Sequence, residues 1–455
     1  MNKKIVIIGG GISGLSTALF LHKGGATVKV LESRKEPGGN LLTTNPSGYQ
    51  IEHGPNSTMQ KPGREEDALG RIMDAVGIRP VVANAQANKR FIVRDQQLAA
   101  LPSSPLSFLT TKAFSTSAKL RLLWEPFIGK ATKEESIAQF VERRLGREFL
   151  DYAIDPFVSG VYAGNTHSLS VQAATAKIYA LEKNHGSLIR GALFGRQKNI
   201  SGMPKGRLIS FAKGMGELPK AISQTLPSGS ILSSTNVIRI KKQKNRWLVY
   251  WEGSGGQAGI EEADQVVLAT PASQTAKILE ETSPEASHLL STIHYPPILS
   301  IAIAYSRKDV THPLDGFGFL VPRCEKIRTL GSLFSSTLFP GRAPKNEVLL
   351  TNFIGGATDL AVETTGDKEL ASQVAKNISN LLGINGKPNF VHVTRYRESI
   401  PQYTLGHLQK LESIEKALSN INGLHLRCNY SGGISVGDCV RNGELLAQKI
   451  QQNLI

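Results

Sequence analysis

The chain has 455 residues, more than one compact domain needs, which points to two or three lobes. Hydrophobic residues at 40% and charged residues at 20% exclude a disordered or fibrous chain. Lysine and arginine number 53 against 37 acids; this net charge of +16 suits nucleic acid, an anionic membrane or an anionic small molecule, or else a generally basic soluble surface.

The first predicted element is a short buried strand at residues 3–8. Its apolar run, Ile5 to Ile8, is too short for a signal peptide. A helix from Ser13 to Lys23 and a second strand, TVKVLE, follow. Gly9, Gly11 and Gly14 then form a G-x-G-x-x-G turn inside a βαβ unit. Gly9 permits the tight turn, Gly11 lets a pyrophosphate approach, and Gly14 lets helix and strand pack closely. Gly10, Ile12 and Ser13 complete the helix start, whose free N–H groups and dipole suit phosphates. Glu32 stands at the tip of the second strand, where a carboxylate can accept hydrogen bonds from a ribose. It would repel a 2′-phosphate, which argues against NADP, although Arg34 is near. Next come Glu36-Pro37-Gly38-Gly39 and IEHGPNS at 51–57. This second glycine pair resembles the FAD-binding oxidoreductases of the amine oxidase type. The resemblance adds Ser33, Gly39, Asn40, Gly54, Pro55, Asn56 and Ser57 to the cofactor site.

A helical lobe is expected from about residue 84 to residue 204. Thr132 and Glu135 read as a capping box, and Ile137, Phe140, Val141 and Leu145 follow at helical spacing as core. Residues 101–133 mix Leu106, Phe108, Leu109, Phe114, Leu122, Leu123, Trp124, Phe127 and Ile128 with Lys112, Lys119, Arg121, Lys130 and Lys133, against one acid, Glu125. That mixture suits an interfacial segment on anionic lipid, or equally a helical hairpin with a solvated basic face. No run approaches the roughly 18 apolar residues of a spanning helix, so any membrane contact is peripheral. Residues 186–207 carry Arg190, Arg196, Lys198, Lys205 and Arg207 without an acid: a mobile loop that attracts anions, or a solvated linker.

Residues 235–270 read as a β-meander of VIRIKK, WLVYW and QVVLAT. In the resembling flavin fold Val237 lies beside the adenine. Residues 429–438, NYSGGISVGD, resemble the return of the C-terminus to the flavin, which adds Ile434, Ser435 and Val436; alone, Gly432-Gly433 is a plain turn. Cys324, Cys428 and Cys439 make no CxxC pair, as expected in a reducing compartment. Nucleic acid is a poor explanation for the charge and is not expected as a partner, because no binding motif occurs, aromatics are only 6% and the basic residues are not interleaved with them.

Longer segments are more specific. GPNS at 54–57, RFIV at 90–93, IDPFVSGVYAGNTHSLSVQAA at 154–174 and HYPPI at 294–298 are among them. GFGFLVPR at 316–323, SSTLFPGRAPK at 335–345 and IPQYTLGHLQKLES at 400–413 are others. Through them the chain resembles, nearly end to end, the oxygen-dependent protoporphyrinogen oxidases of plants and bacteria. The resemblance implies an α/β + α fold in three parts. These are a Rossmann-like FAD domain (1–83, 205–270 and 420–455), a helical membrane-binding domain (84–204) and a mixed-sheet substrate domain (271–419). It implies non-covalent FAD, with Ile434 where covalent amine oxidases carry cysteine. It also implies removal of six hydrogens from a porphyrinogen by hydride transfer to flavin N5, with O2 as acceptor and H2O2 as product, in haem biosynthesis. Arg90 matches the arginine that pairs with a propionate, and its fork suits a carboxylate. Leu320, Leu333 and Phe353 match residues that sandwich the ring, and Gly160 a glycine beside the pocket. Without the resemblance these read as a surface arginine, core and a helix-ending turn.

No general base and no metal site are assigned. Asn40 and Cys428 depart from the family pattern. A coproporphyrinogen III oxidase, an amine oxidase or carotenoid desaturase, and a non-enzymatic escort protein are the rival readings. Expected partners are the porphyrinogen, O2 and a membrane surface, on the cytoplasmic face of the cell membrane; a homodimer and a ferrochelatase contact stay open.

Overall fold

The computed structural model describes residues 3–63, 67–102, 105–111, 113–194 and 206–453. Lys112, Arg196, Lys198, Lys205 and the side chains of Leu106 and Leu109 lie outside the described residues.

The N-terminal expectation holds. Strand β1 (Lys4–Ile8) is buried from Ile5 onward, as a parallel strand covered on both faces requires. Helix α1 (Ile12–Lys23) and strand β2 (Thr27–Leu31) follow. β1 pairs in parallel with β2 on one side and with Gln265–Leu268 on the other. The five-stranded sheet runs Ile231–Leu232, β2, β1, Gln265–Leu268, Leu424–Leu426.

The meander differs from expectation. Its strands are Thr235–Gln243, Arg246–Gly253 and Ala258–Ala263. QVVL belongs to the parallel sheet instead, since Val266, Val267 and Leu268 are wholly buried and fit only a strand covered on both faces. AGIEEA is too polar to read as a strand, yet it pairs along the edge of the meander, where Glu262 is exposed and Glu261 pairs with Lys4 (2.6 Å).

A seven-stranded sheet forms the second body. Its order is Phe390–Tyr396, Ile298–Ser306, Glu347–Gly355, Thr329–Leu333, Gly316–Leu320, Lys89–Arg94, Gln97–Ala100. Residues 89–100, expected in the helical lobe, are therefore a hairpin on this sheet. Phe91, Ile92 and Val93 are all buried, Phe91 and Val93 in one core and Ile92 in another, while Lys89 and Arg90 are exposed, and Asp95 and Gln96 turn with positive φ of 52° and 60°. One face of the sheet packs Phe91, Phe319, Ile301 and Ile354 against Val374 and Ile378 of the helix Asp367–Leu382.

The helical lobe covers the other side. Helix α2 (Ile137–Arg144) is capped by Ser136, whose hydroxyl accepts the Gln139 N–H (3.2 Å) while Gln139 accepts the Ser136 N–H (2.9 Å). The box expected at Thr132 and Glu135 does not form. Ser136-x-x-Gln139 meets the same pattern four residues later, and Glu135 pairs with Arg143 instead (2.8 Å). Ile137, Phe140 and Val141 are core, as expected, and Leu145 packs at its edge. Helix α3 (Asp155–Tyr162) ends at Ala163 in the left-handed region, φ 51°. Among the described residues no helix is long and apolar enough to cross a membrane.

The chain closes on its beginning. Helix α4 (Val436–Gln452) packs along α1. A Cβ at Gly443 would meet Ser16 Oγ at 2.6 Å, and Gln451 Nε2 donates to Phe20 O at 3.1 Å. The two helices thus run parallel, with both N-termini at the same end of the sheet.

Candidate functional site: a glycine cradle beside an apolar sheet face

The glycine turn is shaped by sterics. Gly9 has φ +103°, and a Cβ there would sit 2.9 Å from Ala269 O. A Cβ on Gly14 would lie 2.0 Å from Gly9 O, so helix and strand touch only through glycine. Gly11 differs: its missing Cβ would meet nothing within 4 Å. It faces open space at the start of α1, where no side chain caps the helix and the first turn carries no acid. Free N–H groups with a positive dipole end suit a pyrophosphate there. The N-terminus of α4 lies beside it but is already served, since Ser435 accepts the Asp438 N–H (3.1 Å) and donates to its carboxylate (2.6 Å).

The second glycine pair closes on the first. The Gly38 N–H donates to Gly10 O (2.7 Å), Gly11 and Gly38 form a parallel bridge, and Arg34 donates to Gly39 O (2.8 Å). A Cβ on Gly54 would lie 2.2 Å from Asn40 O, so the GPNS loop is pressed against Asn40. Glu32 is buried at the tip of β2 and does more than expected. Its carboxylate accepts the N–H of Gly10 (2.7 Å) and of Arg34 (2.8 Å), fixing both loops, and oxygen lone pairs remain for a ribose. Thr235 donates its N–H to Glu32 O (2.8 Å), which carries Val237 to the same end. A dinucleotide fits this cradle.

The sheet register assembles the predicted substrate residues. Leu320 pairs with Gly331, which pairs with Phe353; Gly318 pairs with Arg90 and with Leu333. Directly paired residues share a face, so Arg90, Leu320, Leu333 and Phe353 line the face opposite the Asp367–Leu382 helix. The three apolar residues are half-buried. Gly160 on α3 rests on this face, where a Cβ would meet Leu320 Cδ2 at 2.6 Å. Arg90 is exposed at the rim, its guanidinium 5.6 Å from the centre of the Phe317 ring. Among the described residues no carboxylate pairs with it. Neighbouring Lys89 is taken by Asp315, and Arg94, on the same face, by Glu148.

Some residues escaped sequence reasoning. Gly318 and Gly331 form the floor, and a Cβ on Gly318 would lie 2.0 Å from Ser332 O; a glycine inside GFGFL was the available signal for close backbone approach. His53 joins the two bodies, bonded to Thr44 (2.8 Å) and to Thr394 on the edge strand (3.2 Å). Burial and neighbouring His392 lower its pKa, so it is neutral at neutral pH. The Cys428 thiol is pushed up to about 12 by burial and donates to Asn429 Oδ1 (3.4 Å), the behaviour of a packing residue.

The model of the family described as flavin containing amine oxidoreductase matches residues 12–451. The chain belongs to this family. Among relatives of this flavin containing amine oxidoreductase, a chloroplastic protoporphyrinogen oxidase of Oryza sativa subsp. japonica is 34% identical over 99% of the chain and 88% of the relative. The coproporphyrinogen III oxidase of Bacillus subtilis is 26% identical, over 97% and 96%. A solved structure from Exiguobacterium sp. 255-15, provisionally assigned as a protoporphyrinogen oxidase, superposes with TM-score 0.83 at 22% identity, covering 100% of this chain and 99% of that one. That likeness concerns the fold. The dinucleotide of this flavin oxidoreductase is FAD, and its return loop carries Ile434 after Gly432-Gly433, with no cysteine there to bond the flavin.

Proposed function

We propose that the chain oxidises protoporphyrinogen IX to protoporphyrin IX with FAD and dioxygen. The observation that carries this reading is Arg90: an exposed guanidinium without a carboxylate partner, at the rim of a half-buried apolar face built from Leu320, Leu333 and Phe353. A porphyrinogen is a broad apolar macrocycle with propionate tails, and Arg90 offers the planar fork a propionate needs. Gly160 keeps the helix above the face from intruding. Gly9 to Gly14 with Ser13 hold the pyrophosphate, and Glu32 and Ser33 the ribose. Val237 lies by the adenine, and Gly39, Asn40, Gly54 to Ser57 and Ile434 to Val436 surround the flavin. Bound FAD supplies a two-electron acceptor that dioxygen restores. The substrate loses six hydrogens, so three dioxygen molecules become three of hydrogen peroxide.

Coproporphyrinogen III, with four propionates, is the second reading, favoured by the Bacillus subtilis relative. Against it stands the charge on the face: Arg94 is spent on Glu148, which among the described residues of that face leaves Arg90. The segment at 120–127 supports a peripheral membrane contact. Leu120, Leu123, Trp124 and Phe127 are 57–76% exposed and lie among Lys119, Arg121 and Lys130.

Purified protein should be yellow and, under air, should generate porphyrin fluorescence faster from protoporphyrinogen than from coproporphyrinogen. Faster turnover of coproporphyrinogen would select the second reading. A protein that takes up no FAD would defeat both.

A further inference from the structure

The segment Pro401–Gly406 lies near the start of IPQYTLGHLQKLES, outside both halves of the site. The helical lobe holds its backbone: the Ser170 N–H donates to Tyr403 O (2.8 Å), the Leu405 N–H to Ser168 O (3.0 Å) and the Gly406 N–H to Glu134 (3.0 Å). Its two most buried polar side chains point to different places. Gln402, 3% exposed, donates to Tyr162 O at the C-terminal end of α3 (2.9 Å), two residues past Gly160. Tyr403, 5% exposed, reaches the glycine return loop. Its hydroxyl donates to Asn429 O and accepts the Gly433 N–H (3.2 Å). Its ring stacks on His407 (centroids 4.3 Å apart, 12° between planes), and His407 Nε2 bonds Tyr430 O (2.9 Å). Gly433, at φ +114°, is held by this hydroxyl immediately before Ile434.

We propose that Gln402 and Tyr403 are positioning residues: Tyr403 fixes the loop that meets the flavin, and Gln402 ties the same strap to the helix over the substrate face. Neighbouring residues of an extended segment face opposite ways, so one strap sets the distance between cofactor and substrate. The inference rests on the flavin reading above.

Tyr403→Phe keeps the ring and its stacking but strands Asn429 O and the Gly433 N–H. Loss of two hydrogen bonds of ordinary net strength corresponds to about ten- to thirtyfold weaker FAD affinity. The bound flavin's absorption bands should shift as well. Gln402→Leu should instead raise KM for the porphyrinogen and leave FAD affinity unchanged. Wild-type FAD affinity and absorption in Tyr403→Phe would overturn the proposal for Tyr403, and an unchanged KM in Gln402→Leu that for Gln402. Should Tyr403→Phe not fold, amide exchange in the native holoprotein decides: a Gly433 amide as slow as those inside α4 supports the proposal, and one exchanging like an exposed loop overturns it. Failure of the wild-type apoprotein to bind FAD would sink the flavin reading itself.

Discussion

At Gly14 a single methyl group is too much. The added Cβ would lie 2.0 Å from the Gly9 carbonyl, on backbone that cannot swing aside. Gly14→Ala should therefore yield protein that keeps little FAD, read as loss of visible absorption after desalting. Arg90 poses the opposite test, because among the described residues its exposed side chain meets only the Phe317 ring. Arg90→Ala should raise KM about ten- to hundredfold, the worth of one charge-assisted hydrogen bond, with FAD content unchanged. Unchanged Michaelis behaviour would remove Arg90 from the site. Both residues were legible in the sequence for different reasons. Gly14 follows from the spacing of a phosphate turn, whereas Arg90 came only through resemblance, since a lone arginine on a strand carries no signal of its own. Glu32 was half legible: its place at the strand tip was clear, but its grip on the Gly10 and Arg34 amides depends on how the two loops fold back.

Among elements, the helical lobe is held by charge as well as packing. Arg144 is wholly buried between Glu125 (3.0 Å) and Glu182, and Glu125 also accepts the Ser187 hydroxyl and the N–H groups of Leu188 (2.9 Å) and Ile189 (3.2 Å). Removing the cation leaves two carboxylates buried, so Arg144→Leu should cost about 3–5 kcal/mol, measured by denaturant unfolding. The same cluster predicts acid sensitivity. Burial alone would raise the Glu125 pKa, but the Ser187 hydroxyl, the two amides and Arg144 outweigh it and hold it below its ordinary value of 4.5. A lowered folded pKa means that this stabilisation is complete above 4.5 and is lost as the pH falls toward the folded value. The melting temperature should drop below that pH, less steeply in Glu125→Gln. None of this was visible in the sequence, where Glu125 read as the one acid of a basic stretch. Sequence pattern shows which residues are apolar at helical spacing, and so gave the core of α2; it does not show which charge turns inward. The hairpin at Lys89–Ala100 was misplaced for a related reason: its partner strand, Gly316–Leu320, is more than two hundred residues away.

For the whole molecule, Glu125 has a second effect. Its inward anchorage turns Leu123, Trp124 and Phe127 outward on a short 3-10 segment. Replacing these three with serine should abolish sedimentation with anionic vesicles and leave the melting temperature and the turnover of detergent-dispersed substrate unchanged. Wild-type binding should weaken with salt, because cations flank the apolar group. Failure of the wild-type protein to sediment at low salt would sink the membrane reading. The parallel pairing of α1 with α4 reaches further. Residues near the start of the chain complete their cradle against residues that a ribosome makes more than four hundred codons later. The glycine turn must wait, its helix lacking the neighbour that covers Ser16 and Thr17, while some 20–90 seconds of synthesis at ~5–20 residues per second go by. FAD capture is thus an event of release rather than of translation, and a chain cut short before α4 would leave the ribosome colourless, with an apolar helix exposed to chaperones and proteases.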